Sequence, residues 1–91
     1  MESIIIEGVI KTITPAENFT AKDGTIHTEK NLVVETEERY PQSVAIRVID
    51  KNAMDDYQIG ERIRCNVDLR AAQGQSGRWF NTIRAWKIEV V

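Results

Sequence analysis

Arg62-Ile63-Arg64-Cys65-Asn66-Val67-Asp68-Leu69-Arg70 alternates apolar and polar side chains without a break. A period of two puts every second residue on the same face of an extended strand. Ile63, Cys65, Val67 and Leu69 therefore face a core, while Arg62, Arg64, Asn66, Asp68 and Arg70 face water. In that setting Cys65 is a small core residue rather than a reactive thiol.

Ala71 to Arg78 follows as a loop in which Gln73-Gly74-Gln75-Ser76-Gly77 makes a flexible hairpin connection. The next strand starts at Trp79. Gly77-Arg78-Trp79-Phe80-Asn81-Thr82-Ile83-Arg84-Ala85-Trp86-Lys87 interleaves three rings with three cations. With even positions inward, Arg84 would be buried without an obvious partner, which is costly. Odd positions inward place Trp79, Ile83 and Ala85 inside, leaving Phe80, Thr82, Arg84 and Trp86 on the outer surface. A later bulge, returning Ile88 or Val90 to the core, stays open.

Before the alternating strand, Asp50 to Tyr57 breaks the pattern. Asp50 or Asn52 caps one or two helical turns whose apolar face is Ala53, Met54 and Tyr57. So short a helix holds only by packing on something else. Ser43–Ile49 is a strand with Val44, Ile46 and Val48 inward and Arg47 outward. His27–Glu37 is another, with Leu32, Val34 and Thr36 inward and Asn31, Glu35 and Glu37 outward. Ser3–Thr14 is the first strand. Its parity changes near Gly8, which predicts a bulge or bend where one long strand serves two halves of a barrel. Pro15 stops the ladder, and Ala16–Thr25 is a polar loop carrying Phe19, Lys22 and the turn signal Asp23-Gly24.

Three strands, a short helix and two strands is the order of an OB fold. The fold class is therefore all-β: a five-stranded barrel, with a short helix between the third and fourth strands, as one domain over residues 1–91. Ninety-one residues suffice for one modest core and not for two.

The net charge of −2 counts against a dedicated duplex binder, which is normally basic. It leaves room for single-strand binding, where a local positive groove plus stacking suffices. Acidic residues crowd the middle of the chain, and Arg62, Arg64, Arg70, Arg78, Arg84 and Lys87 crowd its last third. No apolar run approaches a membrane span, no secretory pattern opens the chain, and a single cysteine excludes an internal disulfide. A cytoplasmic protein is the expectation. One His, no metal-ligand spacing and no phosphate-cradling loop point away from an enzyme, a metal or a cofactor.

The Gly77-Arg78-Trp79-Phe80 segment joined to Ile83-Arg84-Ala85-Trp86-Lys87 resembles the C-terminal signature of a family of small bacterial proteins, a domain of unknown function. That family is similar to OB-fold single-stranded DNA-binding proteins. The resemblance extends to Glu35-Thr36-Glu37-Glu38-Arg39-Tyr40-Pro41, to Gly8 and Pro15, and to Ile59-Gly60-Glu61, and so covers nearly the whole chain. It implies an OB barrel and nucleic-acid binding.

Two surfaces are candidates. In an OB barrel the fifth strand lies between the third and fourth, so Arg47, Phe80, Arg84, Trp86, Arg62, Arg64 and Arg70 would share one face. Rings stack on bases and guanidinium groups meet phosphates there. The other route crosses the second and third strands, flanked by loops carrying Phe19, Lys22 and Arg78. Glu29 and Glu35 weaken it, Lys30 and His27 are minor members, and Arg47 belongs to both. The expected function is non-enzymatic, sequence-independent binding of single-stranded DNA, with RNA the alternative substrate. The competing class is a protein-interaction or oligomerisation module, since rings and Arg also populate interface cores. Strand edges in so small a barrel favour a homodimer or higher homo-oligomer.

Overall fold

The computed structural model of the chain describes Ile4–Val91; the Ser3 end of the first expected strand lies outside these residues. The elements are β1 (Ile4–Ile13), β2 (Glu17–Thr20), β3 (Ile26–Thr36), β4 (Ser43–Ile49), one helical turn α1 (Lys51–Met54), β5 (Arg62–Gln73) and β6 (Trp79–Val90). Pairing runs β1-β5-β6-β4-β3, and β3 pairs back onto β1, so five strands close a ring. This is the OB barrel that the strand order predicts. Strand β2 is the addition: it pairs with the first half of β3 and turns much of the expected loop into a hairpin. The turn signal at Asp23-Gly24 closes that hairpin, with Gly24 at φ 88.

Closure puts the inward-facing residues of all five strands into one core. Ile10, Leu32, Val34, Ile46, Val48, Ile63, Cys65, Val67 and Ala85 are buried there, with Ala53 and Tyr57 of the helical segment. Burial pushes the Cys65 thiol up to about 11. It also pushes the Tyr57 phenol up to about 12, helped by the neighbouring Asp55, whose carboxylate accepts from the phenol at 3.3 Å.

The long bent first strand is present. It pairs with β5 through Ile4–Val9 and with β3 through Gly8–Ile13. The parity change sits at Lys11, which is the extra residue between Ile10↔Val34 and Thr12↔Val33. Gly8 has a different task. A Cβ there would stand 2.3 Å from the Glu35 carbonyl oxygen and 2.5 Å from Val34 Cγ1, so only glycine lets β3 cross this closely.

A second bulge settles the end of the last strand. Val67 opposes Ala85 and Asn66 opposes Lys87, so Trp86 is the extra residue. It brings Ile88 opposite Cys65 and back against the core.

Three expectations about burial fail. Strands β5 and β6 continue as a paired arm beyond the barrel, to Gln73↔Trp79, where the pattern predicts loop over residues 71–73. No opposite wall covers that arm, so Leu69 is 44% and Trp79 64% exposed although both keep the inward parity. Met54 is 77% exposed, because a single turn of helix turns only Ala53 and then Tyr57 toward the barrel. Asp50 stands at the helix start, but its side chain makes no cap hydrogen bond.

Candidate nucleic-acid interface

The concave face of the barrel lies between the β2–β3 hairpin and the β5–β6 arm, with β4 as its floor. Arg47 of β4 and Arg84 of β6 are paired across the seam where these strands run parallel. Two hollows of about 440 and 510 Å³ flank this pairing. Phe19, His27, Ile49, Asp50 and Arg84 line the first, and Asn31, Ala45, Asn81 and Ile83 the second. Arg47 lines both.

A stack builds the hairpin side of this face. The Phe19 and His27 rings lie 5.3 Å apart at 30°, held by the direct cross-strand pairing of their residues. The Arg47 guanidinium sits 5.0 Å from the Phe19 ring centre. Cation, phenyl ring and imidazole thus form one layered unit of the kind on which a base stacks.

A hydrogen-bond chain fixes the imidazole. His27 Nδ1 meets Asp50 Oδ2 at 2.7 Å, and Nε2 meets the Thr25 hydroxyl at 2.9 Å. The Thr25 hydroxyl donates its one proton to Asp23 Oδ1 at 2.6 Å, so toward His27 it acts as acceptor. Hydroxyl, imidazole and carboxylate are aligned, yet the hydroxyl proton is directed away from the ring that would have to remove it for nucleophilic chemistry. The hydrogen bond with His27, then that from the Thr28 amide, holds the Asp50 carboxyl below its ordinary value. The Thr25 hydroxyl, then its amide, does the same for Asp23. Asp50 has φ 52 with ψ -115, outside the left-handed helical basin that Asp tolerates, and its side-chain bonds to His27 and to the Thr28 amide hold it there.

Each floor arginine has its own carboxylate. Arg47 is paired with Glu29, and Arg84 Nη2 lies 3.1 Å from Asp68 Oδ2. Asp68 Oδ1 is buried with no hydrogen-bond partner among the described residues.

The residues singled out in the sequence are distributed as follows. Arg47, Arg84 and Phe19 come together on the concave face. Phe80 and Arg78 lie at the arm's tip, the guanidinium 5.3 Å from the ring centre, and Phe80 is 51% exposed. Arg70 is on the arm opposite Thr82. Lys22 is exposed in the hairpin turn. Arg62 pairs with Glu37 and Arg64 with Glu7, on the barrel wall toward β1. Six residues of strand, roughly 20 Å, separate Arg64 from Arg70. Trp86 is half exposed at its bulge. Lys30 is drawn to the helical segment, over the Tyr57 ring and onto the Asp55 carbonyl.

Asp50, Asp68 and the acceptor role of Glu29 do not emerge from the sequence. Asp50 and His27 are 23 residues apart, and Asp68 reads as an ordinary outward position in the alternating strand.

No curated protein matches the chain. Among solved structures, the second OB-fold domain of replication protein A from Methanococcus maripaludis, determined by NMR in solution, is similar, with a TM-score of 0.74. Identity is 21%, and the match covers 99% of this chain and 84% of that one, which identifies the fold. A family model matches residues 5–89, and the chain belongs to that family, described as Domain of unknown function (DUF3127).

Proposed function

We propose that this chain is a non-enzymatic module that binds single-stranded nucleic acid, namely DNA, without sequence specificity. The observation that carries the reading is the Arg47–Phe19–His27 stack beside Arg84, open to hollows on both sides. A base stacks on an outer layer of this unit, a neighbouring phosphate meets Arg47 or Arg84, and the strand continues to Phe80, Arg78 and Arg70 on the arm. Stacking is tolerant of base identity, because every base has a π-face. The similarity to an OB domain of replication protein A, a protein named for replication, agrees with this reading.

Chain self-association is proposed for another surface. Ile5, Asn66 and Lys87 form a row across β1, β5 and β6, and the bulged Trp86 stands next to it; Ile5 is 50% and Trp86 52% exposed. A homodimer through that wall leaves the concave face free. Among the described residues no helix is long and apolar enough to cross a membrane, and a cytoplasmic setting is proposed with the same reading.

The test is a titration of fluorescently labelled oligo-dT at two salt concentrations. Binding that weakens as salt rises supports the reading. Absence of binding at low salt, together with self-association that buries tryptophan, would transfer the chain to the class of assembly modules.

A further inference from the structure

We propose, resting on the single-strand reading above, that Glu29 and Asp68 set the selectivity of the interface for single strands over duplex by holding Arg47 and Arg84 in internal ion pairs. Both pairs are partly sheltered: Arg47 and Glu29 side chains are 32% and 29% exposed, Arg84 and Asp68 side chains 29% and 30%. Asp68 occupies its place although one carboxylate oxygen is buried and unpartnered among the described residues. A neutral acceptor would bond Arg84 as well, so the negative charge itself is the distinguishing property of that residue.

The floor of the concave face therefore carries no excess of positive charge. Arg47 and Arg84 are offset by Glu29 and Asp68, and Asp50 adds a further carboxylate beside them. The arm is different: Arg70 and Arg78 make no ion pair among the described residues, and Arg78 covers Phe80.

These two zones treat the two ligands differently. A duplex is stiff, carries one charge per about 1.7 Å of axis, and keeps its bases stacked inside. To seat on the floor it must displace both carboxylates and bring dense phosphate against Asp50, with no base free for Phe19. A single strand has half that charge density and bends. It needs only one floor arginine, Arg47 or Arg84, for a phosphate, routes the others to Arg70 and Arg78, and lays bases beside Phe19 and over Phe80, gaining stacking that the duplex cannot offer. The carboxylates thus weigh more on the duplex, which is selectivity by repulsion of the wrong ligand.

The test compares labelled oligo-dT with a blunt duplex of the same length, titrated against wild type, Glu29→Gln, Asp68→Asn and the double variant at two salt concentrations. Each change removes a charge and keeps the shape and an acceptor. Circular dichroism and melting check the fold, and Asp68→Ser replaces Asp68→Asn should the amide be poorly accommodated. The double variant is expected to bind duplex about tenfold more tightly and oligo-dT about threefold or less, so that preference for single strands falls. Its salt dependence for duplex should steepen, since freed arginines release counterions. In an Arg84→Gln background Asp68→Asn frees no arginine and should steepen the duplex salt dependence less than it does with Arg84 present, which separates charge masking from a general loosening of the fold. Wild-type binding to oligo-dT with an unchanged or rising preference in the double variant overturns this inference alone. No binding of oligo-dT by wild type or any variant overturns it together with the single-strand reading.

Discussion

Arg47 and Arg84 stand opposite one another at the parallel pairing that joins β4 to β6. Like charges directly opposed across strands repel, and here each is met by a carboxylate, Glu29 or Asp68. The seam that closes the barrel is thus held by electrostatics as well as by backbone pairing. It also opens onto both hollows of the concave face. The chain places its two central cations where strand pairing is sparsest and a ligand has access.

Phe19→Ala should separate binding from folding. Phe19 is half-buried on a hairpin outside the barrel core. Loss of one stacking ring is worth about 1–3 kcal/mol of single-strand affinity. Leu32→Ala, at a fully buried core position, should instead cost about 2–5 kcal/mol of stability. Oligo-dT titrations and thermal melts of both variants make the comparison; equal loss of stability would place Phe19 in the core.

Phe80→Ala and Trp86→Ala should act on different properties, although the two rings are about equally exposed. Phe80 is on the arm and Trp86 at the bulge on β6. The first should lower oligo-dT affinity, and the second should lower self-association with affinity retained. Sedimentation beside the titration reads both. Loss of binding in Trp86→Ala with unchanged association would move the nucleic-acid site to the wall.

Arg47→Gln and Arg84→Gln should each weaken binding and flatten the salt dependence. For a single strand the slope of log affinity against log salt should fall by about 0.7 for each phosphate that is no longer neutralised. Affinity measured over a salt series gives the slope. Steep, unchanged slopes in both variants would show that the phosphates lie elsewhere.

Gly8→Ala should be strongly destabilising. The added Cβ meets a backbone oxygen at 2.3 Å, not the end of a flexible side chain. Relief requires β1 and β3 to separate, breaking the crossing that closes the barrel. A loss of about 3 kcal/mol or more is expected, read from urea midpoints.

Stability should decline in alkali through Cys65. Its thiol is raised from 9.0 to about 11 by burial. Above pH 9 the unfolded chain releases this proton while the folded chain keeps it, so stability falls as pH rises. The contribution is complete below pH 9 and lost as pH passes about 11; it amounts to about 2–3 kcal/mol. Cys65→Ala should show a shallower decline over that window, with Tyr57 supplying the remainder at higher pH. Parallel wild-type and variant profiles would overturn this assignment.

Much of the barrel can be read from local pattern alone, because burial of alternate residues is a property of each strand by itself. Ile63, Cys65 and Val67, Val44, Ile46 and Val48, and Leu32 and Val34 declare their faces through period two. The parity change near Gly8 signals a bulged first strand, with the bulge itself at Lys11, and Asp23-Gly24 a turn. Phe19, Arg47 and Arg84 are nominated by residue type, a ring in an expected loop and two cations at positions the pattern turns outward.

Tertiary structure decided what depends on distance in space. Leu69 and Trp79 keep the inward parity, but whether inward means buried depends on an opposite wall, and the arm runs past it. The Trp86 bulge is set by how β6 must pair with β5 to return Ile88 to the core. His27 meets Asp50, and Arg84 meets Asp68, only after the ring closes and brings residues 23 and 16 apart within hydrogen-bond range. Local sequence determines which face a side chain takes on its strand. Closure of the barrel determines what that face meets, because cross-strand partners are chosen by register and topology.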